Sequence, residues 1–93
     1  GPEVRQVVVS CREVPVKERV KLVQVEDAMM SAPHCRFVKV PFRGWCLEDL
    51  HSLHGTKMDR IWATAMHPVK DGSRVIAGMT TMVVAVLDDN GIG

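Results

Sequence analysis

The sequence predicts a mainly β domain: a five-stranded Greek-key barrel with one short helix between strands 3 and 4. Three observations predict it. Short apolar, β-branched runs recur along the chain, each bounded by turn residues. One stretch with helical spacing falls between the third and fourth runs. The whole chain has 93 residues, enough for one core and too few for two.

Each element has its own justification. Residues 4–11 are rich in Val and partly alternate, with Val7, Val9 and Cys11 on one face and Gln6, Val8 and Ser10 on the other. Residues 13–18 carry Pro15 and several charges, and read as a loop. Residues 19–25 form the second strand. Its alternation breaks, since Val20 and Leu22 share one face and Val23 and Val25 the other, so a bulge or coil is expected there. Residues 26–34 read as a loop stopped by Pro33, with one helical turn as the alternative. Residues 35–42 alternate, which places Val38, Val40 and Phe42 toward the core and Phe37 and Lys39 outward. Pro41 donates nothing to a ladder and marks the strand's end.

Leu47, Leu50, Leu53 and His54 follow at helical spacing. Glu48 and Asp49 suit a first turn, and Gly55 a stop. A helix this short must cap something to persist. Residues 58–66 are the fourth strand, with Ile61, Ala63 and Ala65 opposite Arg60, Trp62 and Thr64. Asp71-Gly72 signals a hairpin. Residues 74–87 are a long fifth strand with Gly78 as its bend. Asp88, Asp89, Asn90 and Gly91 end the domain.

Gly1-Pro2 reads as a cleavage scar, leaving residues 3–93 as the domain. Net charge is +1, which does not demand a nucleic-acid partner. Aromatics are 4%, so Val, Leu, Ile, Met and Ala must build the core. Cys11, Cys35 and Cys46 form an odd set without disulfide spacing, which points to reduced thiols in an intracellular compartment; the mitochondrion and the nucleus both fit. No apolar run is long enough for a membrane span, and no membrane role is expected.

Residues 34–87 resemble the second half of a bacterial-type single-stranded-DNA-binding protein, an oligonucleotide-binding (OB) fold. The resemblance lies in Arg36-Phe37-Val38-Lys39-Val40-Pro41-Phe42-Arg43-Gly44-Trp45, in the Leu-containing stretch from Cys46 to His54, and in Gly55-Thr56-Lys57-Met58-Asp59-Arg60-Ile61-Trp62. Here Ala63 or Ala65 stands where that family has a small residue, often Gly. Related barrels occur in the mitochondrial RNA-editing complexes of kinetoplastids. The resemblance implies an OB-fold module assembling with other OB-fold subunits, as a homo- or hetero-oligomer, within a nucleic-acid-processing complex. Single-stranded RNA or DNA binding is the alternative.

Candidate residues follow from that reading. Phe37 and Trp62 are candidates to stack bases. Lys21, Lys39, Arg43, Lys70 and Arg74 are candidates to track phosphates. The bland alternatives are packing for the rings and an ordinary solvated surface for the cations. Val8, Val23, Met29, Met30, Met79 and Met82 are candidates for a protein interface, since Met populates adaptable surfaces. Cys35, Cys46, His51 and His54 lack the paired-ligand knuckle of a structural zinc site, so no metal and no cofactor is expected. Cys46 and His51 are five residues apart and do not face each other on a helix, and no phosphate-cradling glycine loop exists. An enzyme is not expected.

Overall fold

A computed structural model describes residues 4–11, 14–23, 27, 29–63 and 66–87. Among these there are nine strands, one 3-10 turn and no α-helix. The strands are β1 (Val4–Ser10), β2 (Val20–Leu22), β3 (Cys35–Val40), β4 (Gly44–Asp49), β5 (Thr56–Met58), β6 (Ile61–Trp62), β7 (His67–Pro68), β8 (Arg74–Ala77) and β9 (Thr80–Leu87). The 3-10 turn is Val16–Glu18.

The strands form two sheets rather than a closed barrel. One has the order β1-β9-β8-β5-β6, the other β2-β3-β4-β7. β1 runs parallel to β9, and the other pairings are antiparallel. Their inner faces meet in one core. Val9, Met58, Val75, Ala77, Met82 and Val84 come from the first sheet, and Val23, Cys35, Phe37, Trp45 and Leu47 from the second sheet and its margin. Aliphatic and Met side chains fill most of it, as the low aromatic content requires.

The mainly β class stands, and the finer expectations change. The expected helix is a strand. Residues 44–49 pair with β3, and Phe37 lies opposite Leu47. The Leu spacing misled because it runs through two environments. Leu47 is buried in the sheet, while Leu53, in the following loop, is 83% exposed. The faces of the third strand are inverted. Phe37 is fully buried, whereas Phe42 sits bare in the turn with φ 65°.

The bend expected at Gly78 is a complete reversal, because a two-residue turn separates β8 from β9. The fourth strand is likewise a tight hairpin around Asp59 and Arg60. Asp71-Gly72 does not join a hairpin; it carries the chain from β7 in one sheet to β8 in the other. The face assignment of residues 4–11 holds, with Val9 buried and Gln6 and Val8 outward. The loop reading of 26–34 holds for its described residues. Gly1-Pro2, Val25, Glu26, Thr64, Ala65 and the 88–91 terminus lie outside the described residues.

Cys35 and Cys46 are free and buried, and Cys11 is free and exposed. Burial pushes the Cys35 thiol up to about 12, and desolvation raises Cys46 too. A thiol-specific disulfide reagent is therefore expected to titrate Cys11 promptly in the native protein, and the other two only on unfolding. Prompt reaction of all three would contradict this packing.

Candidate functional site

One end of the sandwich gathers the loops that connect β2 to β3 (23–34), β4 to β5 (50–55) and β8 to β9 (78–79). Three short polar side chains and one imidazole tie these loops into a crown.

His34 is the centre. It is fully buried. The Ser31 N–H donates to its Nδ1 at 2.9 Å. That leaves the proton on Nε2, which donates to the Gly55 carbonyl at 2.9 Å. The Ser31 Oγ in turn accepts from the Leu53 N–H at 2.9 Å. Two loops from different parts of the chain are thus joined by two hydrogen bonds, His34 to Gly55 and Leu53 to Ser31, and the Ser31 N–H fixes the ring within its own loop.

Asp49 shapes the second loop from inside. Its carboxylate accepts from the Ser52 N–H, the Ser52 hydroxyl and the Thr56 hydroxyl. Partial burial pushes the Asp49 carboxyl up, but the hydrogen bonds from Ser52 and Thr56 outweigh this and leave it below its ordinary value. The loop then passes through His51 in a left-handed conformation, φ 55°. Gly55, at φ 78°, takes the ring of Trp62 against its backbone: a Cβ there would stand 2.9 Å from Trp62 Cζ3. Lys57 lies over the same ring, 5.1 Å from its centroid.

Asp27 ties in the third loop. It accepts from the Met29 N–H at 2.8 Å, the Met79 N–H at 2.7 Å and the Thr80 hydroxyl at 2.7 Å. The Thr80 hydroxyl does most to hold the Asp27 carboxyl below its ordinary value, against its desolvation. Met29 and Met79, both exposed, flank this junction. His51 and His54 are exposed on the middle loop.

The FHA domain family model matches residues 17–78. The chain belongs to the FHA domain family. FHA domains are phosphopeptide-binding β-sandwiches, and the two packed sheets described above agree with that architecture. No curated protein and no solved structure gives a significant match. The family overturns the OB-fold resemblance, and with it the nucleic-acid-processing, RNA-editing and single-strand-binding readings. What the two folds share in sequence is a run of short strands with turns between, and that pattern does not separate a barrel from a sandwich.

The FHA fold scatters the residues expected to grip nucleic acid. Phe37 is in the core, out of reach of any base. Lys21 and Lys39 lie along the seam between the sheets and donate to the carbonyls of Val8 in β1 and of Cys11 just after it. Arg43, Lys70 and Arg74 are exposed at the end of the sandwich opposite the crown. Trp62 is 56% exposed and stands beside the crown.

Among the expected interface residues, Val23 and Met82 are buried and Met30 packs on the core. Val8 is exposed on β1, and Met29 and Met79 belong to the crown. The crown's own residues were missed as a set. Ser31 and His34 are three apart, and Asp49, Ser52 and Thr56 form a polar run ending at a Gly. An Asp followed by Ser three residues on is a legible turn signal.

Among the described residues no group of His, Cys, Asp and Glu could hold a metal ion.

Proposed function

We propose that this FHA domain is a phosphoprotein-interaction module that holds a phosphorylated segment of a partner protein across the crown. The observation that carries this reading is the family match. It spans β2 to β8 and so includes both loops that His34 joins.

The crown's chemistry supports it. The Ser31 oxygen accepts from Leu53, which leaves its hydroxyl proton to donate outward. His51 and His54 supply exposed imidazoles, and Lys57 an ammonium at the side. Met29 and Met79 offer adaptable apolar contact for neighbouring peptide residues. Phosphopeptide readers commonly use arginine clusters. The arginine next to the crown, Arg36, is already paired with Glu48, so the grip here falls to hydroxyl, imidazole and ammonium groups. Binding rather than catalysis, in a reducing intracellular compartment, completes the proposal.

The test uses fluorescence anisotropy with pools of phosphoserine and phosphothreonine peptides and their unphosphorylated counterparts. Phosphorylated peptides are expected to bind and the counterparts not. A charge-assisted hydrogen bond contributes roughly 1.5–3 kcal/mol, so Ser31→Ala is expected to weaken binding at least about tenfold. Equal binding of both peptide sets would overturn the phosphate reading.

A further inference from the structure

Among the described residues, the seam between the two sheets has a strand edge with no neighbouring strand. β1 is the terminal strand of its sheet and β2 of the other, and the hydrogen bond from Lys21 in β2 to the Val8 carbonyl in β1 puts the two on the same side of the sandwich. β9 pairs with β1 on one side, and the Val8 and Ser10 carbonyls are reached from the second sheet on the other, so the odd-numbered residues of β1 direct their main-chain groups at β9. The even-numbered ones direct theirs at the open edge. Part of that edge is sealed by side chains from the second sheet. Lys21 Nζ reaches the Val8 carbonyl, Trp45 Nε1 donates to the Ser10 carbonyl at 2.8 Å, and Lys39 Nζ reaches the Cys11 carbonyl at 3.3 Å. Lysines laid along a strand edge protect it from unwanted pairing. The seal covers the C-terminal half of the edge. Among the described residues, no donor from the second sheet reaches the main chain of Val4 or Gln6.

Residues 4–8 of this edge, of which only Val8 is touched by the seal, have a self-complementary order. Pairing this stretch with itself in antiparallel fashion about Gln6 sets Val4 opposite Val8, Arg5 opposite Val7, and Gln6 opposite its own copy. Apolar meets apolar on the outward face, where Val4 is 64% and Val8 40% exposed. No like charges meet. The other edges lack this property. Self-pairing β2 about Lys21 would set lysine against lysine, and β6 and β7 have two residues each. We propose that a second copy of this chain adds to the free edge of β1, antiparallel and centred on Gln6, which joins the two β1-containing sheets into one continuous sheet across a two-fold axis. Each opposed pair exchanges two main-chain hydrogen bonds at the edge-directed positions, and the Val8 carbonyl has a second lone pair left for this beside Lys21.

The experiment is a charge exchange at the two-fold axis, read by analytical ultracentrifugation over a concentration series without any peptide. The wild-type chain is expected to show a monomer–dimer equilibrium. Gln6→Lys sets like charges directly opposite each other, as does Gln6→Glu, and each alone is expected to raise the dissociation constant roughly fivefold or more. An equal mixture of the two variants is expected to recover the dimer. Both variants keep the β1–β9 ladder, so their melting curves under monomeric conditions should match the wild type's. A monomeric wild type at every concentration would overturn the proposal. So would self-association of either variant at wild-type strength, or a mixture no more dimeric than its parts.

Discussion

His34→Ala is expected to destabilise the domain by about 3 kcal/mol, because a buried donor–acceptor pair loses its partner and a cavity opens behind it. The ring is fully buried and bridges the Ser31 N–H to the Gly55 carbonyl. Its removal leaves one main-chain donor and one main-chain acceptor without a partner, on two different loops. For a domain of this size that loss lowers the thermal midpoint by more than about 10 °C. The loss should also be local in character. With the ring gone, the Ser31 hydroxyl no longer has a fixed position relative to Leu53, so phosphopeptide binding should fall even at temperatures where the variant stays folded. Phe37→Ala is the comparison, since Phe37 is buried mid-strand opposite Leu47 and makes none of the crown's hydrogen bonds. It should lose comparable stability while the folded fraction keeps its binding. Equal binding losses per folded molecule in both variants would show that His34 has no special hold on the crown.

The sequence carried the β class and the outward face of β1, because a run such as Val7-Val8-Val9 flanked by polar residues has few other solutions. It did not carry the sheet pairing. Gly44-Trp45-Cys46-Leu47 is a strand covered on both faces, with Trp45, Cys46 and Leu47 all buried. A strand covered on both faces does not alternate, and the Leu residues that follow completed a false helical period. Phe37 was turned the wrong way for a related reason. Val38 and Val40 on its other side are half-buried, so both faces of β3 are apolar and alternation could not choose between them. By local pattern Lys21 and Lys39 are candidates to track phosphates. Their tasks on the Val8 and Cys11 carbonyls depend on which strands become edges, which is a property of topology and not of local pattern. The crown was partly legible. Asp49, Ser52 and Gly55 mark a turn by their chemistry alone, but the partnership of His34 with Gly55 spans 21 residues and no short-range rule reaches it.

Gly78→Ala is expected to cost about 2–4 kcal/mol, from a strained backbone and a close approach acting together. Gly78 holds φ +61°, and a Cβ there would stand 2.9 Å from Asp27 Oδ1, from the Met29 carbonyl carbon and from the Met30 nitrogen. Two of those three atoms are backbone and cannot swing aside. The incoming methyl must therefore push residues 29–30 away from the β8–β9 turn, which breaks the hydrogen bonds from Met79 and Thr80 to Asp27. Two further substitutions separate the causes. Gly72 has φ +84° with nothing within 4 Å of its would-be Cβ, so Gly72→Ala carries the strain alone and should cost about 1 kcal/mol. Gly78→Asn accepts the left-handed backbone more readily than alanine but keeps the collision. Chemical denaturation should thus rank Gly72→Ala as mild and both Gly78 variants as severe. The severe pair should also lose phosphopeptide binding, since the loop that carries Ser31 and His34 passes through the junction they disrupt. A Gly78→Ala variant no less stable than Gly72→Ala would mean that the loop does not press on the turn, and the Asp27 tether would then have to be abandoned as a support of the crown.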